Sequence, residues 1–201
     1  MAETLEDGAI GNKNVAEDFI GRILRDIQRM TVMVDDLLEL SRIESGQEVI
    51  DIHPVNLFRI SNESISYVRG QINDGVPEIN LDVNEEIMVM GEEEKISQVF
   101  VNLIQNASRF TGRNGLINVT AKQDVNDIVE ISVSDTGTGI APEHLAHVFE
   151  RFYKVDRSRR DGGTGLGLSI VKHLVQAQGG EVFVDSVEGE GSTFKFTLPV
   201  A

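Results

Sequence analysis

The chain has 201 residues, and its 33 acidic against 18 basic side chains give a formal charge of −15, a balance that argues against nucleic-acid binding by the surface as a whole. There is no cysteine, which excludes disulfides and thiolate metal sites, and no stretch approaches a membrane span. With no signal-peptide pattern either, a reducing cytoplasm is the expected location. The length suits one domain with an appendage, or two small domains, and is enough to bury a real core.

In chain order, the first periodic segment is apolar at Ile20, Ile23, Ile27, Met30, Val34 and Leu37, and Ser41 continues the same spacing of three and four. Leu24, Thr31 and Leu38 flank this seam, while Arg22, Arg25, Asp26 and Arg29 lie outside it. The pattern predicts a heptad helix from about Val15 to Ser45, ~45 Å long, ended by Gly46. Such a helix either lies on its own domain or joins a dimeric bundle, and the regularity favours the bundle.

After Gly46 helices and strands mix. Pro54 to Gln71 reads as a helix, Glu78 to Val83 and Ile87 to Met90 as short strands, and Asn84-Glu85-Glu86 as a loop. Glu92 to Arg109 is a strongly amphipathic helix with Ile96, Val99, Phe100, Leu103, Ile104 and Ala107 on one face. Its acids Glu92, Glu93 and Glu94 suit a helix N-terminus. Ile117, Val119 and Ala121 alternate with polar residues, as do Val129, Ile131 and Val133, and Phe194, Phe196 and Leu198. Together these predict an α+β, two-layer sandwich, a mostly antiparallel sheet with helices on one face.

Three places carry chemistry. On the Glu92 helix, Gln98, Asn102 and Asn106 recur every fourth residue, and Arg109 and Phe110 continue that side. A carboxamide oxygen suits magnesium and a guanidinium suits phosphate. Gln98 reads as an ordinary solvated residue. Two asparagines inside a helix cost stability, so Asn102 and Asn106 point to a site. Asp135 continues the inward side of its strand and needs a donor partner there. A purine amino group is one candidate, and the amides of its own turn are another. Finally, Phe149, Phe152 and Tyr153 are set among Arg151, Lys154, Arg157, Arg159 and Arg160 and followed by a glycine run that opens a helix. That make-up predicts a mobile lid over phosphates, spanning Phe149 to Gly162, with Asp161-Gly162-Gly163 as its closing loop.

These blocks, in this order and spacing, resemble the ATP-binding boxes of sensor histidine kinases of two-component systems. Asn102-Leu103-Ile104-Gln105-Asn106-Ala107 is similar to the asparagine box, and Asp135-Thr136-Gly137-Thr138-Gly139-Ile140 to the first glycine box. Phe149-Glu150-Arg151-Phe152-Tyr153-Lys154 is similar to the phenylalanine box, and Gly163-Thr164-Gly165-Leu166-Gly167-Leu168 to the second glycine box. Gly191-Ser192-Thr193-Phe194 fits the family's closing strand. The resemblance covers 47–201 as a catalytic ATP-binding domain of the histidine-kinase/gyrase-type (Bergerat) fold. Asp36-Leu37-Leu38-Glu39-Leu40-Ser41-Arg42-Ile43-Glu44-Ser45-Gly46 resembles the second helix of the dimerisation and phosphotransfer domain, making 1–46 a remnant of that domain.

The resemblance implies ATP and magnesium as ligands. Asn106 would hold the metal, with Asn102 near it. Arg109 would contact phosphate and Phe110 would lie beside the base. Asp135 would accept from the adenine amino group in a pocket shaped by Gly137, Gly139 and Ile140. Lys154, where the family more often has Arg, would reach the terminal phosphates. Gly163, Thr164, Gly165, Leu166, Gly167 and Leu168 would form the phosphate-cradling turn, and Thr193 would support the adenine end. Related ATPases of this fold carry Glu at the position of Asn102 to activate water. Asn is no such base, so slow hydrolysis and transfer to a protein acceptor are expected.

The implied partners are the phosphoacceptor helix of the same or a second chain, the receiver domain of a response regulator, and a second copy through the N-terminal helix. The acceptor histidine itself has no counterpart: His53, His144, His147 and His173 all lack the family's context. Met1 to Asn14 resembles the end of the first bundle helix and its hairpin, so the chain is expected to be a fragment that donates phosphoryl groups without phosphorylating itself. Two other readings stay open, a hydrolysing conformational ATPase and a non-catalytic nucleotide-binding dimerisation module.

Overall fold

The computed structural model of the chain describes residues 13–45, 50–72, 75, 77–124, 127–155 and 163–201. A long helix, α1 (Lys13–Glu44), leads into an α+β sandwich. Gly46, expected to end that helix, lies outside the described residues, as do most of Met1 to Asn14 and the stretch 156–162 with Arg157, Arg159 and Arg160.

The next element corrects the sequence reading. His53–Asn56 is a strand, β1, not the start of a helix, and it pairs antiparallel with β3 (Met88–Gly91), Pro54 standing opposite Met90. Proline has no N–H to give a ladder, and a two-stranded edge accommodates it. The helix α2 (Leu57–Gln71) begins only after Asn56, whose side chain accepts from the Arg59 amide at 2.8 Å as a cap. His53 therefore opens a strand, and its Nδ1 lies 2.8 Å from the Asp51 carbonyl.

The main sheet has the order β2-β4-β5-β7-β6, with β2 at Glu78–Asp82, β4 at Leu116–Gln123, β5 at Ile128–Asp135, β6 at Val182–Val187 and β7 at Gly191–Pro199. Only β2 and β4 run parallel, because helix α3 (Glu93–Phe110) carries the chain back between them. The β6 strand escaped the sequence reading.

One sheet face carries Ile117, Val119, Val129, Ile131, Val133, Phe196 and Leu198, all buried. The apolar stripe of α3 predicted above meets it, and Phe100 stands edge-on to Phe196 at 5.5 Å. Each such fully buried side chain is worth about 1.5–3 kcal/mol. Helices α2 and α5 (Gly167–Ala177) flank α3 on the same side. A single turn, α4 (Pro142–Leu145), precedes the aromatic segment.

Helix α1 is not free of this sandwich. Leu40 is fully buried, and Met33 and Ile43 pack against the core. Gln98 Nε2 donates to Glu39 at 2.6 Å, so the residue read as solvated is a docking contact of α1. The heptad seam and its flanks face elsewhere: Ile20, Leu24, Ile27, Met30, Val34, Leu37 and Leu38 are exposed, and Ile23 is half-buried.

Candidate nucleotide-binding site

A cavity of about 440 Å³ opens between the C-terminal half of α3, the turn after β5, the segment before α5 and the flank of α1. Helical spacing aligns Asn102, Asn106, Arg109 and Phe110 along its wall. From β5 comes Asp135, from the following turn Gly139 and Ile140, and from the aromatic segment Lys154. Gly163, Thr164, Gly165, Gly167 and Leu168 complete the predicted lining. None of the four histidines lines it.

Three predicted residues stand back from the cavity. Leu166 is fully buried and serves as the N-cap position of α5. Gly137 supports the site from behind: its amide donates to Asp135 Oδ1 at 2.8 Å. Thr193 is a correction. Its hydroxyl donates to Ser134 Oγ at 3.0 Å on the other sheet face, and Ser192 and Phe194 line the cavity instead. The alternation that turns Phe194, Phe196 and Leu198 inward also turns Ser192 inward, so the signal was in the sequence. Tyr153, foreseen only as a lid aromatic, and Gln105 and Thr138, quoted in the boxes without a role, also line the cavity, while Val32, Asp36, Val148 and Val155 were given no part in the site.

The turn after Asp135 is held rigidly. Gly139 adopts φ +66°, and a Cβ there would stand 2.0 Å from the Val187 carbonyl oxygen. Ile140 N donates to Ser186 Oγ at 2.8 Å, and Thr138 N to the Phe110 carbonyl at 3.3 Å. Asp135 is buried on the inward side as predicted. Burial pushes its carboxyl above the usual aspartate range, and the Gly137 and Ser192 backbone amides pull back less strongly. Both partners foreseen for it are thus compatible: one oxygen caps its own turn, while the side chain still lines the cavity.

Opposite charge gathers near Gly163. Lys154 is shifted below the usual lysine range, first by burial and then by Arg29 and Arg109 nearby. Asn102 Nδ2 is buried with no hydrogen-bond partner among the described residues, a donor left for a ligand acceptor. Asn106 offers a carboxamide oxygen one turn on. A single neutral oxygen ligand fits magnesium, which keeps waters and binds through phosphate oxygens rather than an all-protein cage. Among the described residues no cluster of three acidic or histidine side chains offers another metal site.

The aromatic segment is anchored at its start. Phe149 meets Phe194 edge-on at 6.2 Å, and Tyr153 Oη lies 2.7 Å from His144 Nδ1. Phe152, at φ 60°, donates its amide to the Gly165 carbonyl at 2.9 Å, clipping this segment to the second glycine turn at Gly165, φ +80°. From 156 to 162 the predicted lid lies outside the described residues.

From α1, Arg29 Nη2 donates to the Gly163 carbonyl at 3.2 Å, and Asp36 Oδ2 accepts from the Thr164 hydroxyl at 3.0 Å. Burial raises the Asp36 carboxyl, the Thr164 bond opposes this, and Glu39 and Asp35 add to it.

Among the described residues no helix is long and apolar enough to cross a membrane. Residues 91–201 match the family model described as histidine kinase-, DNA gyrase B-, and HSP90-like ATPase. Residues 1–46 match the His Kinase A (phospho-acceptor) domain. The chain is 38% identical over 202 residues to the sensor histidine kinase WalK of Bacillus subtilis (strain 168), covering 98% of this chain and 33% of that protein. Full-length ShkA in complex with AMPPNP superposes with a TM-score of 0.79 at 28% identity, covering 92% of this chain and 39% of that one. Histidine kinase ThkA in complex with response regulator protein TrrA gives a TM-score of 0.75 at 25% identity, over 94% of this chain and 53% of that one. The chain thus spans only a part of the length of the relatives it matches. Its boxes, its fold and these matches agree: the chain belongs to the histidine kinase-, DNA gyrase B-, and HSP90-like ATPase family, within the sensor histidine kinases of two-component systems.

Proposed function

We propose that this chain binds ATP with magnesium and donates the γ-phosphoryl group to a histidine on a bundle helix, for relay to the receiver domain of a response regulator. Residues 1–46 are read as part of the dimerisation and phosphotransfer domain and 47–201 as the catalytic domain. The observation that carries the proposal is a single cavity lined both by the inward carboxylate Asp135 and by Asn102, Asn106, Arg109, Lys154 and the glycine turn before α5.

Asp135 accepts from the adenine amino group, with Phe110, Ile140 and Ser192 beside the base. Arg109, Lys154 and the turn at Gly163 bind the phosphates, and the Asn102 amide donates to a phosphate oxygen. Asn106 holds the magnesium ion, which when bound offsets phosphate charge. In the transfer the acceptor imidazole nitrogen bonds to the γ-phosphorus as the bond to the β–γ bridging oxygen breaks, and ADP leaves. Asn102 is not a base, so water is not activated there and the phosphoryl group is kept for the imidazole. The AMPPNP complex of ShkA and the response-regulator complex of ThkA support the nucleotide and partner assignments. The exposed seam of α1 supports pairing with a second copy.

Incubation with γ-labelled ATP tests this reading. Alone, the chain should carry no acid-labile label on His53, His144, His147 or His173. Addition of a separate two-helix domain bearing the acceptor histidine should place label on that domain. Label on the chain's own histidines, or steady phosphate release without an acceptor, would overturn it.

A further inference from the structure

Residues 29, 32 and 36 lie at helical spacing on one face of α1, and two of them bond the same glycine turn. Arg29 takes the Gly163 carbonyl, Asp36 takes the Thr164 hydroxyl, and Val32 lines the cavity between them. The helix that belongs to the bundle is thus a wall of the nucleotide cavity.

At Gly163 three cations converge. Arg109 is close enough that a Cβ on Gly163 would stand 2.0 Å from its Nη1, while Arg29 bonds the same residue's carbonyl. Both bear on Lys154, which lines the cavity there, and both share its sign. A guanidinium carries five N–H donors, and among the described residues Arg29 bonds one neutral carbonyl, which does not compensate its charge. Asp36 does not supply the missing anion at this point, since it is engaged one residue on, at Thr164. Arg29 and Lys154 repel each other, an anion between them relieves this, and the anion that fits beside a cavity lined by Arg109 and Lys154 is a phosphate.

We propose that Arg29 of α1 is a ligand of the terminal phosphate of the bound nucleoside triphosphate, so that this site is complete only with α1 docked. The inference rests on the nucleotide-binding reading above. It adds a residue from the helical domain to a site otherwise built by the catalytic domain. By linkage, ATP should then hold α1 down more strongly than ADP does.

Titration calorimetry of the full chain with ATP and with ADP, both with magnesium, tests it in wild type and in Arg29→Ala, Arg29→Lys and Asp135→Ala. Loss of one charge-assisted contact is expected to weaken ATP binding about 10-fold or more in Arg29→Ala. ADP binding should change by less than about twofold, so the ATP-to-ADP preference collapses. Arg29→Lys should recover part of that preference. Asp135→Ala should weaken both nucleotides alike. If Arg29→Ala weakens ATP and ADP equally, Arg29 merely holds the Gly163 turn, and the proposal fails. If Arg29→Ala changes neither while Asp135→Ala weakens both, the nucleotide site stands and Arg29 has no part in it. If Asp135→Ala changes neither, the nucleotide reading falls and this proposal falls with it.

Discussion

Asp135 sets function against stability within one side chain. Its carboxyl titrates above the usual aspartate range because it is buried. Between the unfolded value and this raised one, the folded state holds more protons than the unfolded state. Stability therefore falls as pH rises through that window, and the cost persists at neutral pH. Asp135→Asn should relieve it, raising Tm and removing this fall in stability through that pH window. The same change should weaken ATP about 10-fold, since the adenine amino group loses a charged acceptor. Calorimetric scans paired with titrations check both signs, and a variant that binds ATP as well as wild type would remove the adenine assignment. Asn106→Ala should act differently. The gain in ATP affinity on adding magnesium should shrink about 10-fold, while affinity in excess chelator stays near wild type.

Among the elements, α3 and α1 both show two faces. The apolar stripe of α3 meets the sheet, and its polar stripe, Asn102 to Phe110, lines the cavity. On α1 the docking residues Arg29, Met33, Asp36, Leu40 and Ile43 recur at spacings of four and three. They sit one position before the seam residues Met30, Val34, Leu37 and Ser41, and the centres of the two stripes are about 130° apart around a helix of 3.6 residues per turn. Docking on the catalytic domain and pairing with another helix therefore use different sides of α1. Leu40 is the apolar centre of docking, and Glu39 ties the same turn to Gln98 and Lys95. Leu40→Asp would bury an unpaired carboxylate, so α1 should detach rather than the sandwich unfold. Hydrogen exchange should then rise in amides of α1 and of the turn before α5. Amides of α3 and β5 should keep their protection. Unchanged exchange in α1 would mean that docking does not depend on this side chain.

For the molecule as a whole, the outward side of α1 decides assembly. Seven large apolar side chains from Ile20 to Leu38 are exposed along it, with Met30 at 66% and Leu24 at 60%. Covering each is worth ~1.5–3 kcal/mol, and a stripe of this length on one helix demands a partner. Sedimentation over a wide concentration range should show self-association, and Ile27→Asp should shift the chain to monomer without altering ATP affinity. A monomer at every concentration, with or without the substitution, would exclude pairing through this seam. Because docking uses a different side of α1, association should leave the nucleotide cavity intact.

Local chemistry in the chain determined most of the site. The two glycine runs, the Asn102–Asn106 spacing and the inward phase of Asp135 each depend on neighbours within one element, and 13 of the residues named from sequence line the cavity. The alternation of β7 also carries Ser192, not Thr193, inward, although the motif resemblance pointed to Thr193. Periodicity misplaced β1, because Pro54 suits a helix start as well as an edge strand, and only pairing with β3 distinguishes them. What the tertiary structure alone decided is the role of α1. A pattern along a helix reports which residues share a side, not what is packed against that side. The docking stripe mixes Arg29 and Asp36 with Met33, Leu40 and Ile43, so it reads as an ordinary solvated face until the fold sets Gly163 and Thr164 against it.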